Sequence, residues 1–179
     1  MVLGLGLFHT TRELREQSMD SKEYVSLAYD LFKEAYERQM DGDLDGAVEL
    51  YRRSIESYPT AEAYTFLGWT YSFQGKLDEA IAECKKAIAI DPDFGNPYND
   101  IGAYLIEKNR HEEAIPWLLK AASASRYDNH HFAHYNLGRA YISREMFNKA
   151  KEEFERALRI RHEYLLAKEA LAALKKHIH

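Results

Sequence analysis

A single cysteine, Cys84, stands in a chain of 179 residues, so no disulfide can form within it. One isolated thiol suits a reducing compartment, and a cytoplasmic location is the expectation. Prolines number four, at positions 59, 92, 97 and 116, too few and too scattered for a proline-rich linker. No run of 18 apolar residues occurs, so no membrane span is expected. The opening MVLGLGLF is apolar but lacks a basic leader and is short for a signal peptide. Positive charge is also scarce: 24 Lys and Arg against 29 Asp and Glu leave a net charge of −5. A nucleic-acid partner would require a basic face, so none is expected.

Catalytic signatures are missing too. No phosphate-binding glycine loop, nucleophile elbow or dinucleotide fingerprint appears. An enzyme is therefore not the expectation, and no cofactor is implied. His130 and His134 are four apart on a possible helix, which is metal-ligand spacing, but nothing supplies a third ligand. Asp41-Gly42-Asp43-Leu44-Asp45 resembles the start of a calcium loop, yet the twelfth position is Arg52 where such a loop needs glutamate. Neither metal is expected to bind.

What the chain does have is apolar content of 46% and aromatic content of 13%, enough for one ordered domain. Residues 61–94 carry its organising pattern. Tyr64, Leu67, Gly68 and Tyr71 share one helical face. Gln74-Gly75-Lys76 ends that helix, because glycine accepts the left-handed backbone a helix end needs. Leu77, Ala80, Ile81, Cys84, Ala87 and Ile88 then form a second apolar face, which stops at Asp91-Pro92. Small Gly68 and Ala80 predict a close approach of the two helix backbones.

The same frame recurs. The small residue early in each second helix is Ala47, Ala80, Ala114 and Ala150, spaced by 33, 34 and 36. The large residue four positions later is Tyr51, Cys84, Leu118 and Phe154. Tyr98-x-x-Ile101-Gly102-x-x-Leu105 and His134-x-x-Leu137-Gly138-x-x-Tyr141 repeat the first-helix signature. In the first copy Leu31, Glu34, Ala35 and Arg38 replace it, as the end unit of a stack tolerates.

This pattern resembles the tetratricopeptide repeat family, W-x-x-L-G-x-x-Y…A-x-x-x-F…P with a period near 34 residues, over about residues 28–164. The third and fourth copies depart from it, with Arg126 and His162 where the motif ends in proline. The resemblance implies an all-α, right-handed superhelical solenoid of four helical hairpins plus a C-terminal capping helix. The expected layout is an apolar N-terminal segment at 1–20, repeats at about 21–60, 61–94, 95–128 and 129–162, and the cap at 163–179. Asp20-x-x-Glu23 reads as a capping box starting the first long helix near Ser21. Thr10 and Thr11 can cap a short helix before it. Pro97 suits a first helical turn, and Pro116 should bend the helix that contains it. The link Ser123–His131 is two residues longer than its counterpart between the second and third repeats, as an inserted loop would be. Leu165, Leu166, Ala170, Leu171 and Leu174 are expected to be the buried face of the cap.

In this family the concave surface commonly binds a peptide or an extended segment of another protein. That implies a groove lined by Tyr29, Phe32, Tyr36, Thr65, Trp69, Ser72, Asn96, Asn99, Ala103, Phe132, Tyr135, Asn136 and Arg139. Some members grip a terminal carboxylate with paired Lys and Asn; Phe32 and Tyr36 stand at those places here, so that grip is not expected. An adaptor for one protein partner is the leading expectation. Self-association through the N-terminal segment or the capping helix is the alternative. Residues 1–8 are further expected to lie on an apolar surface, in cis or on a second copy.

Overall fold

The computed structural model describes residues 20–174. The expected docking of residues 1–8, the short helix after Thr10 and the end of the last helix beyond Leu174 lie outside the described residues. Within them the chain forms α1 (Ser21–Met40), α2 (Leu44–Ser57), α3 (Ala61–Phe73), α4 (Leu77–Ile90), α5 (Gly95–Glu107), α6 (His111–Ser123), α7 (His130–Ile142), α8 (Phe147–Ile160) and α9 (Leu165–Leu174). No strand occurs among the described residues. Helices α1/α2, α3/α4, α5/α6 and α7/α8 are antiparallel hairpins stacked in order, and α9 packs on α8. The first helices α1, α3, α5 and α7 also touch one another in sequence, forming an inner layer.

Local chemistry sets the helix ends. The Asp20 carboxylate accepts from the backbone N–H of Lys22 and Glu23 at 2.7 and 3.0 Å, and Glu23 Oε2 accepts from Asp20 N–H at 3.0 Å. This reciprocal box satisfies donors a helix start leaves open. Asp43 caps α2 through Gly46 N–H at 3.0 Å and pairs with Arg38 at 3.0 Å; both contacts hold its carboxyl below the ordinary value. Within each hairpin the chain reverses through one left-handed residue: Gly42 (φ 86°), Gly75 (φ 74°), Asn109 (φ 56°) and Glu145 (φ 56°). The first two carry no steric cost, whereas Glu145 does. Pro116 lies on the exposed side of α6, which continues through it to Ser123.

The hairpins close on small residues. A Cβ on Gly68 would meet the Ala80 carbonyl at 2.9 Å, the backbone contact expected there. Gly102 and Gly138 differ. Their neighbours are side chains: a Cβ would lie 2.4 Å from Leu118 Cδ2 and 2.3 Å from Phe154 Cε1. In those two hairpins the glycine makes room for the large residue of the motif instead of for backbone. The first hairpin has Ala35 against Ala47 and Tyr51, all fully buried. Its Tyr51 hydroxyl donates to Gln39 Oε1 at 3.0 Å, and Ser54 Oγ donates to the Ala28 carbonyl at 2.7 Å.

The longer link folds back on its predecessor. Gly95 N–H donates to the Arg126 carbonyl at 3.0 Å and Arg126 N–H to the Asp93 carbonyl at 3.2 Å. The Arg126 guanidinium lies over the Phe94 ring, 4.4 Å from its centroid, and pairs with Asp91 and Glu62. Arg126 stands where the motif ends in proline, and it ties the link to the second and third hairpins. The cap also corrects an expectation. Leu165 and Leu166 are exposed; Ala167 and Leu174 are buried, with Ala170 and Leu171 packed on Phe154 and Ala150. The expected face therefore holds at Ala170, Leu171 and Leu174, while in the first turn Ala167 takes the buried place expected of Leu165 and Leu166.

Two outcomes test this packing. Gly138→Ala should cost about 1–3 kcal/mol in urea unfolding, because Phe154 is fully buried and has nowhere to move. Phe154→Leu in that background should recover part of the loss, and strict additivity of the two changes would contradict the contact. Glu145→Gly should stabilise the chain by about 1 kcal/mol through relief of the left-handed backbone. An unchanged melting temperature would show that the strain is offset locally.

Candidate peptide-binding cleft

The inner layer carries a cleft of about 320 Å³ across α3, α5 and α7. Seven of the expected groove residues line it: Thr65 and Trp69 from α3, Asn96 and Asn99 from α5, and Phe132, Tyr135 and Asn136 from α7. Residues three or four apart on a helix share a face, so each helix presents its pair or triplet to the same space. Trp69 is 37% exposed, whereas Thr65 is buried and spends its hydroxyl on the Ala61 carbonyl at 2.7 Å.

The other six lie elsewhere. Tyr29 and Phe32 line a separate apolar hollow of about 340 Å³ with Val25, Ala28 and Tyr58. Tyr36 rests edge-on against Phe66, with ring centroids 5.8 Å apart. Ser72 donates to the Trp69 carbonyl at 2.8 Å, and Ala103 is half-buried outside the cleft lining. Arg139 stays outside but braces the wall, donating to Asn136 Oδ1 at 3.1 Å with its guanidinium 5.9 Å from the Tyr135 centroid.

Five lining residues were not anticipated: Phe66, Asp100, Tyr127, Asn129 and Tyr164. Phe66 and Asp100 occupy the same repeat position as Asn136, directly before Leu67, Ile101 and Leu137. That register was a usable signal. Tyr127, Asn129 and Tyr164 come from links between helices, where helical spacing carries no information.

Aromatic walls face an amide floor. Phe66 contacts Phe32 and Trp69 edge-on, with centroids 5.2 and 5.6 Å apart. Tyr164 closes the far end against Phe132 and Tyr135, at 5.5 and 5.3 Å. Such edge-to-face pairs hold ring orientations fixed. Across the floor runs a directed chain of hydrogen bonds. Arg139 donates to Asn136 Oδ1, Asn136 Nδ2 donates to Asn99 Oδ1 at 3.1 Å, and Asn99 Nδ2 donates to Asp100 Oδ1 at 3.3 Å. Each amide is oriented by the one before it, and the chain ends on a carboxylate.

Among the described residues Asp100 is the one acidic group in the lining. Burial pushes its carboxyl up to about 7, against which the Asn99 bond works only weakly. The negative charge raises Tyr127 and Tyr104 in turn, both already raised by burial. The Tyr127 hydroxyl is buried without a hydrogen-bond partner among the described residues.

The histidines sit aside from this floor. His134 Nδ1 contacts Glu153 Oε2 at 2.6 Å, and Glu153 also pairs with Arg156 at 2.8 Å. His131 is buried, and burial lowers its pKa. Among the described residues no group of three His, Cys, Asp or Glu is arranged to hold a metal ion. None of the described helices is long and apolar enough to cross a membrane.

Four models described as tetratricopeptide repeat match residues 31–61, 61–94, 96–128 and 131–164. The chain belongs to the tetratricopeptide repeat family. Among curated proteins it is 30% identical over 120 residues to the type IV pilus assembly protein PilF of Pseudomonas aeruginosa, covering 66% of this chain and 48% of that one. It spans less than half the length of the curated relatives it matches. The solved structure of the Pseudomonas aeruginosa PilF superposes with a TM-score of 0.81 at 24% identity, covering 87% of this chain and 70% of that chain. The first tetratricopeptide unit of Spaghetti (RPAP3), bound to an HSP90 peptide, superposes with a TM-score of 0.62 at 22% identity, over 66% of this chain and 92% of that one. At such identities these two superpositions establish the solenoid fold.

The carboxyl of Asp100 makes stability depend on pH. Between about pH 4 and 7 the folded chain holds a proton that the unfolded chain has lost. The contribution is full below that window and is lost as pH rises through about 7. Asp100→Asn removes the dependence, so its advantage over the wild type should grow from about pH 5 to about pH 8. After allowance for water in the cleft, the gain is on the order of 1–2 kcal/mol. Urea unfolding at both pH values measures it; equal destabilisation at both would contradict an uncompensated carboxylate.

Proposed function

We propose that the chain is a protein-interaction module whose cleft holds an extended segment of another protein. The observation that carries this reading is the lining itself. Aromatic walls and an oriented amide floor stand open on the inner layer, where a chain of backbone and side chains can lie across three helices. Amides can pair with a peptide backbone in either direction, since each offers donors and an acceptor. The rings supply rigid contact area at little entropic cost. Family membership supports the same reading, and the Spaghetti unit is an example of this fold with a peptide bound. Among the described residues of the lining no nucleophile has a base beside it, which favours binding over catalysis.

A second reading, self-association, draws on the apolar hollow at the start of the stack. Val25, Tyr29 and Tyr58 are 44, 62 and 47% exposed around it. Such a patch is an adhesive surface in water. Sedimentation at several concentrations separates the two readings.

Affinity capture from the cells that make the protein tests the leading one. A partner held by the wild type should be lost by Trp69→Ala with Phe132→Ala and kept by Tyr29→Ala. For a segment anchored on both rings, the double variant should weaken binding at least tenfold. A partner lost only with Tyr29→Ala would move the site to the hollow.

A further inference from the structure

We propose that the cleft selects a partner segment carrying a lysine or arginine side chain, and that Asp100 receives its cation. This rests on the reading of the cleft as the partner site and names the chemistry of what enters it. Three observations meet here.

The first is charge. Among the described residues Asp100 is the one charged side chain in the lining, and none of them forms an ion pair with it. A carboxylate has about four acceptor sites. The single bond from Asn99, at 3.3 Å, occupies one of them. Asp100 lines a space it shares with amides and rings, and the nearby Arg139 spends a donor on Asn136.

The second is the unpaired hydroxyl of Tyr127. This residue is 5% exposed, its oxygen has no hydrogen-bond partner among the described residues, and it belongs to the same lining. A phenol oxygen also accepts from an ammonium or guanidinium, though more weakly than a carboxylate, so a cation drawn in by Asp100 can serve it as a second acceptor. Buried polar atoms left unmatched are costly, and a ligand that matches them gains selectivity over one that does not.

The third is the walls. Trp69 on one side, and Phe132, Tyr135 and Tyr164 on the other, present π faces and edges to the same volume. Rings attract a cation that a carboxylate has drawn in. Their apolar area also takes the methylene stem of a long basic side chain. A terminal carboxylate is disfavoured by the same features, because Asp100 would repel it. The hydrogen-bonded chain from Arg139 ends in one donor, Asn99 Nδ2, on Asp100, which orients the carboxylate for a cation.

A random linear peptide library displayed on phage, panned against the whole chain, tests this. Peptides retained by the wild type and lost by Trp69→Ala with Phe132→Ala occupy the cleft. They should share a Lys or Arg, and replacing it by Gln in the synthetic peptide should weaken binding about tenfold on the wild type. On Asp100→Asn the basic and Gln peptides should bind alike. The peptide substitution needs no protein variant, so the result stands even where Asp100→Asn folds poorly. Cleft-dependent peptides without a shared basic residue, or an equal Gln penalty on Asp100→Asn, would overturn the cation site and leave the cleft reading intact. If no retained peptide depends on Trp69 and Phe132, both fall together.

Discussion

Everything in this structure depends on a short distance inside each hairpin. A glycine on the first helix lies hard against the second: Gly68 against the Ala80 carbonyl, Gly102 against Leu118 and Gly138 against Phe154. At these separations an added methyl group collides with its neighbour, so the hairpin geometry is set by volume and not by any directional bond. Leu118 and Phe154 are fully buried as a result. Repetition of one hairpin shape then stacks the first helices side by side and leaves the second helices outside. The inner layer, and any cleft on it, follows from that stacking.

The cleft inverts the logic of the hairpin interior. Between α3, α5 and α7 this close packing gives way to amides, a carboxylate and rings with space before them. Asp100 is held where its charge is poorly solvated, and the Tyr127 hydroxyl is buried unmatched among the described residues. A domain organised only for stability would replace both with apolar groups of similar shape. Such groups are tolerated because the neighbouring packing is secure. Arg126 contributes to that security from the opposite side of the link, stacked on Phe94 and paired with two carboxylates.

Much of the fold was legible in the sequence because helical periodicity reports on faces, and here one face repeats. The capping box at Asp20 and Glu23, the turn at Gly75 and the stop before Pro92 all mark helix boundaries through local chemistry. Legibility failed where local chemistry ceased to decide. Leu165 and Leu166 look like a buried pair, yet α9 is oriented by how Leu174 and Ala170 meet Phe154. The cleft was half legible. Trp69, Asn99 and Tyr135 follow from the offset to the packing stripe, whereas Tyr29 and Phe32 turn to a different hollow at the end of the stack. Tyr127 and Tyr164 reach the cleft from links, and no periodicity governs a link. Asp100 was readable in principle, since it shares the register of Asn136.

Amide chemical-shift mapping of the chain with a captured partner segment measures where that segment lies. Shifts should concentrate on α3, α5 and α7 and at Tyr164, with the outer helices α2, α4 and α6 nearly unmoved. Shifts confined to the outer helices, or to the hollow around Tyr29 and Tyr58, would contradict the assignment of the inner cleft as the binding surface.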